Sequence, residues 1–206
     1  MISRRRLLLF AALGVLAARL PARAAGPIEG AEAFIQTLGE QALATLRTGG
    51  ITLDQREAAF RGLLRQDFDV DFIARFVLGA NWNRLSEEQR ADYVQVFSEF
   101  VLKTYAQRLG GYSGETFAVT GARPAGDQDV VVRTRIDRPS GPPLTADWRV
   151  RVSDNRYRII DVAVEGISMV LTQRQEFTST INATGIPGLL ETLHARVDKL
   201  PATAAR

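Results

Sequence analysis

DWRVRVSDNRYRIIDVAVEGISMVLTQRQEF, residues 147–177, changes its hydrophobic period part-way along, and that change decides the fold. Trp148, Val150 and Val152 alternate with Arg149 and Arg151, the period of two expected of a strand with one buried face. SDNR is a turn, and residues 157–164 form a further strand with apolar residues in both phases. After Gly166 the period becomes helical, with Ile167, Val170, Phe177 and Ile181 on one side. Strands joined by so short a turn pair antiparallel.

Working upstream, Val130, Val132, Thr134 and Ile136 alternate with Arg133, Arg135 and Asp137, and residues 116–120 read as another short strand. These four consecutive strands predict an antiparallel meander with one apolar face and one arginine-rich face. Before them everything is helical. Residues 27–48 carry Ala31, Phe34, Ile35, Leu38, Ala42 and Leu46 at helical spacing and stop at TGG, 48–50. A shorter piece groups Ala59, Phe60, Leu63 and Leu64, and DFDVDFIARFVLG, 67–79, has Asp69 as N-cap and Gly79 as stop. Ser86 and Gln89 form a capping box, with Glu87 and Glu88 at the positive end of the helix they start. Val94, Phe97, Val101 and Tyr105 line that helix, Tyr93, Phe100 and Leu109 widen the stripe, and Gly110 and Gly111 close it. Between the Gly79 stop and the Ser86 start lies a short hinge holding Trp82. Downstream, Gly185 ends one helical run, and Leu189, Leu190, Leu193 and Val197 mark a final helix. Helices, sheet, then helices predict an α+β fold: a strongly twisted four-stranded antiparallel sheet wrapped by helices. With no repeat and no linker, residues 25–200 read as a single domain and 201–206 as a flexible tail.

Residues 1–24 read as a cleaved signal peptide. Arg4, Arg5 and Arg6 precede an apolar run over 7–18, and Ala22 and Ala24 supply the small-residue cleavage pattern. The run is shorter than the ~20 residues that span a bilayer. SRRRLL, 3–8, also fits a twin-arginine leader. Cleavage after Ala24 removes five arginines and no acid, so the charge goes from +3 to −2. The basic balance therefore belongs to the leader and gives no support to nucleic-acid binding. The chain has no cysteine, so no disulfide is available in an oxidising compartment and burial must hold the domain together.

Catalytic chemistry has little to draw on. There is no thiol, and the single histidine, His194, is read as flanking the packing face of the last helix. The same counts leave almost nothing for nitrogen or sulfur ligation of a metal, and no glycine-rich phosphate loop stands between a strand and a helix. Asp161, in phase with Tyr157, Ile159 and Ala163, is either a buried base of raised pKa or the ion-pair partner of Arg149, Arg151 or Arg158. The second reading is favoured, and the chain is expected to need no cofactor and not to be an enzyme.

VLGANWNRLSEEQRADYVQVFSEFVLKTYAQRL, 77–109, with DWRV and YRIIDVAVEGISMVLTQRQEF, 157–177, and ATGIPGLLETL, 183–193, resembles the MlaC or toluene-tolerance family of periplasmic lipid-transport proteins. The likeness lies in the L-G stop, the aromatic hinge, the capped E-Q-R start, the E-G-I-S bend and the G-I-x-G-L element, in order. Pro187 stands where that family often has Asp, and a first-turn position tolerates it. The resemblance implies a nuclear-transport-factor-like cone enclosing an apolar cavity. It also implies a periplasmic, monomeric phospholipid carrier working between an outer-membrane lipoprotein–porin complex and an inner-membrane lipid ABC transporter complex. Apolar positions and the likeness together nominate Phe97, Val101, Tyr105, Val132, Trp148, Val150, Ile160, Met169 and Phe177 as cavity wall, with Trp82 at the cavity end or hinge. The alternatives are a carrier of another lipid such as a hopanoid, an enzyme of this fold with Asp161 as base, and an adaptor with a filled core.

Overall fold

The caps written in the sequence set the helices. A computed structural model describes residues 27–47, 52–108, 114–153 and 156–200. The leader expected at 1–24, the TGG stop, Leu109 to Gly111, the middle of the SDNR turn and the tail expected at 201–206 lie outside these residues. Helix α1 runs Pro27–Arg47 and α2 runs Leu53–Asp67, the latter opened by a capping box between Thr52 and Gln55. Helix α3 is Val70–Leu78: the Asp69 carboxylate accepts from the Phe72 N–H at 3.0 Å, and Gly79 stops the helix at φ 56°. A 3-10 turn, Gly79–Arg84, leads to α4, Glu87–Arg108, where Ser86 and Gln89 exchange bonds of 3.2 and 3.0 Å. Helix α5, Met169–Lys199, is broken at Gly185, whose φ of 72° no other residue type adopts cheaply; Pro187 falls in the first turn beyond the break.

The sheet has five strands, not the four expected: β1 Thr116–Pro124, β2 Asp129–Asp137, β3 Leu144–Ser153, β4 Arg156–Val164 and β5 Ile167–Ser168. They pair antiparallel in chain order. The fifth is a two-residue return after the Glu165–Gly166 bend, too short to carry a hydrophobic period. It also corrects the reading of Ile167, which is 60% exposed on β5, while Val170, Phe177 and Ile181 are buried on α5. The register places Val130 opposite Val150 and Val132 opposite Trp148. Between β3 and β4 it shifts, so that Arg149 faces Asp161 while Val150 faces Ile159. The residue left over in that bulge is Ile160, which is why apolar residues occupy both phases of β4.

Two separate apolar clusters result. In the first, Ala31, Ile35 and Leu38 of α1 cover Val130, Val132, Val150 and Ile159 of the sheet. Close approach of α1 uses missing side chains: a Cβ at Gly39 would lie 2.3 Å from the Phe117 ring. In the second, α3, α4 and α5 pack Ala74, Tyr93, Val96, Phe97, Phe177 and Leu189 together. The link between them is the α2–α3 junction, where the Asp69 N–H donates to the Ile159 carbonyl at 3.0 Å and so extends the sheet beyond β4. Arg158 of β4 donates to the Arg65 carbonyl at 3.0 Å and also to that of Gln66, placing a cation on the negative end of α2.

Candidate functional site

Phe68 and Val70, two residues apart, pack on different clusters: Phe68 on the sheet side and Val70 on the helical side. Both line a cleft of about 570 Å³ that opens along the seam between the clusters. Leu64 of α2 and Leu102 of α4, both buried, add to its apolar floor, while charged side chains stand at its rim. Across it, Arg61 of α2 makes a two-pronged ion pair with Glu99 of α4.

The helical cluster itself is aromatic, and its rings stand behind the cleft, which α4 lines with Gln95, Ser98, Glu99 and Leu102. Tyr93 stacks on Phe97 at 5.6 Å, and Phe177 meets both edge-on at 6.3 and 6.1 Å. Burial pushes the Tyr93 hydroxyl pKa upward, and the neutral hydroxyl donates to the Ala74 carbonyl at 3.1 Å. Trp82 lies edge-on to Tyr93 at 6.4 Å and closes this end of the cluster. The Arg75 and Arg90 guanidinium groups stand 5.8 and 5.5 Å from its ring, and Arg90 also donates to the Trp82 carbonyl.

The nominated wall residues divide between the clusters. Phe97, Val101 and Phe177 belong with the helices, and Val132, Trp148 and Val150 with the sheet. The Trp148 indole N–H donates to Thr134 Oγ1 at 2.9 Å, and that hydroxyl donates to the Ala146 carbonyl, so the polar atoms of this buried wall are satisfied. Ile160 is buried in the β4 bulge and belongs to neither cluster, while Tyr105 and Met169 are partly buried near the end of α4 and at the start of α5.

Asp161 takes neither expected role. The β4 bulge turns it away from Ile159, and its carboxylate accepts from Ser168 Oγ at 2.6 Å and from the Val170 N–H at 3.2 Å, where it anchors the start of α5. The arginines assigned to it go elsewhere. Arg149 and Arg151 both hydrogen-bond buried Asp129, and Arg158 binds the end of α2. Burial opposes ionisation of Asp129, but the hydrogen bonds from Arg151 and Arg149 outweigh it and hold the carboxyl below the usual range. Asp67, at the end of α2, shows the reverse. Burial raises its pKa, Arg158 offsets only part of that, and its Oδ2 has no hydrogen-bond partner. His194 flanks the packing face as read, exposed, with Nε2 2.9 Å from Asp92.

The family model described as MlaC protein matches residues 36–195. The chain belongs to the MlaC family. The match takes in Trp82 and all nine nominated wall residues. A curated MlaC relative, the intermembrane phospholipid transport system binding protein of Haemophilus influenzae, is 23% identical over 165 residues, 76% of this chain and 77% of that one. Among solved structures, a phospholipid-binding protein of Ralstonia solanacearum in complex with a phospholipid superposes with a TM-score of 0.72 at 27% identity, covering 82% of this chain and 98% of that one. Both relatives are named for binding or transport. What the sequence of this MlaC-family chain left unread is the cleft itself. Arg61 and Arg65 flank Leu64 one helical turn apart, a spacing that sets both charges at the edge of one apolar stripe.

Proposed function

We propose that this chain is a periplasmic phospholipid carrier that buries acyl chains along the seam between its two apolar clusters. The observation that carries the reading is the fit, over 82% of this chain and 98% of the other, to a relative solved with a phospholipid bound. The cleft supplies a place for the ligand to enter, because its floor joins the sheet cluster at Phe68 to the helical cluster at Val70. In this reading the sheet with α1 is the nuclear-transport-factor-like half, and parting the clusters brings Val132, Trp148 and Val150 against one side of the lipid and Phe97, Val101 and Phe177 against the other. Ile160, Tyr105 and Met169 complete the wall, and Trp82 closes its far end.

Physical chemistry says why such a protein is needed. Each methylene kept from water is worth ~0.8 kcal/mol, so a single 16-carbon chain costs roughly 12 kcal/mol to expose. A carrier removes that barrier by burying tails while the polar head stays near solvent, where it loses little hydration. A leader on residues 1–24 would deliver the chain to the periplasm. There its exchange partners are an outer-membrane lipoprotein–porin complex and an inner-membrane lipid ABC transporter complex. Catalysis is not required, and Asp161 spends its lone pairs on Ser168 and the α5 start. The test is transfer of labelled phospholipid from donor to acceptor vesicles by the purified mature chain. Transfer proportional to protein concentration is expected, and transfer no faster than without protein would refute the reading.

A further inference from the structure

The rim of the cleft is charged in both signs and evenly: Arg61, Arg65 and Arg158 against Asp69, Asp71 and Glu99. Four of the six are already engaged. Arg61 pairs with Glu99, Arg158 holds the carbonyls that end α2, and Asp69 caps α3. Arg65 on α2 and Asp71 in the first turn of α3 remain, both exposed, and among the described residues neither side chain has a hydrogen bond or ion pair. One free cation and one free anion thus stand over a floor of Leu64, Phe68, Val70 and Leu102.

That combination selects a class of amphiphile. A head of net negative charge would gain at Arg65 but would meet Asp69 and Asp71, and like charges brought together disfavour it, modestly at exposed positions. A balanced rim also offers no net field to draw in an anion. A head carrying a phosphate and an ammonium together satisfies both free groups, and its tails take the apolar floor. We propose that the cleft seats the head of a zwitterionic phospholipid, phosphate against Arg65 and ammonium against Asp71, and disfavours anionic heads. This rests on the carrier reading and adds to it the choice of lipid.

The test uses vesicles of equal parts phosphatidylethanolamine and phosphatidylglycerol with identical acyl chains, incubated with the mature chain, and the bound lipids are then counted by native mass spectrometry. Each exposed ion pair is worth about two- to fivefold in affinity, so the bound lipid is expected to be enriched in phosphatidylethanolamine by about that factor. Asp71→Lys should reverse the preference toward phosphatidylglycerol, and Arg65→Gln should lower loading of both lipids. Both positions are exposed, so the variants should fold, which circular dichroism checks. Glycerophosphoethanolamine, the head without tails, should not displace bound lipid. Displacement at lipid-like concentrations would assign the cleft to a soluble zwitterion and overturn the proposal. Loading at the vesicle ratio, or an unchanged ratio in Asp71→Lys, overturns the head-group choice and leaves the carrier reading intact. A wild-type chain that takes up neither lipid overturns the carrier reading and this proposal with it.

Discussion

Asp67 shows how one carboxylate can record a cost. It is buried at the negative end of α2, one oxygen has no partner, and burial raises its pKa. The folded state therefore binds its proton more tightly than the unfolded chain does. Stability falls as pH rises from the ordinary carboxylate value through the raised one, and the penalty is fully present only above the raised value. Asp67→Asn should raise the melting temperature at pH 7, a gain that shrinks as acid protonates the wild-type carboxyl; a pH series of thermal melts for both chains checks it. Trp82 is the residue whose reading the structure sharpened most. The hinge aromatic was legible, but its setting between Arg75 and Arg90 and edge-on to Tyr93 was not, because three elements converge to make it. Trp82→Ala should cost about 2–3 kcal/mol, less than a fully buried tryptophan, and should shorten lipid retention as well as lower the midpoint of a denaturant melt.

Among the elements, those with caps were the legible ones. Asp69, Gly79, Ser86, Gln89 and Gly185 each mark a boundary in the sequence and each forms that boundary in the structure. The apolar alternation of β2 and β3 carried over into register for the same local reason. Two features escaped, and both come from pairing. Strand β5 exists only because Ile167 and Ser168 bond back to β4, and the bulge at Ile160 exists only because β3 and β4 differ in length across it. A bulge flips every residue beyond it, which put Asp161 on the face opposite Ile159 and across from Arg149, where Asp129 already holds the arginine and Asp161 bonds the start of α5. The seat of α1 on the sheet is a further matter of contact. With Phe117 so close to Gly39, Gly39→Ala must displace the ring or lift the helix, at about 1–3 kcal/mol despite the better helix propensity of alanine. Equilibrium unfolding measures it, and a stabilised variant would contradict the packing described.

At the scale of the molecule, the apolar residues were readable and their partition was not. Sequence periods say which side of each element is buried, but they do not say that Phe97 and Val132 end up in different clusters with a cleft at the seam. The partition gives the carrier reading a mechanical form, in which lipid parts two cores that are each complete in themselves. Val101, partly buried beside cleft-lining Leu102, tests this without breaking either core. Val101→Trp should reduce lipid loading from vesicles severalfold while leaving the far-ultraviolet spectrum and melting cooperativity intact, and undiminished loading would remove Val101 from the wall. The most direct test of the whole account is the native mass spectrum of the mature chain after expression and gentle purification. A lipid carrier should show a population heavier than the polypeptide by the mass of one phospholipid, released as that lipid on activation. A spectrum showing only the bare polypeptide, from protein that is folded and equally bare after incubation with phospholipid vesicles, would contradict it.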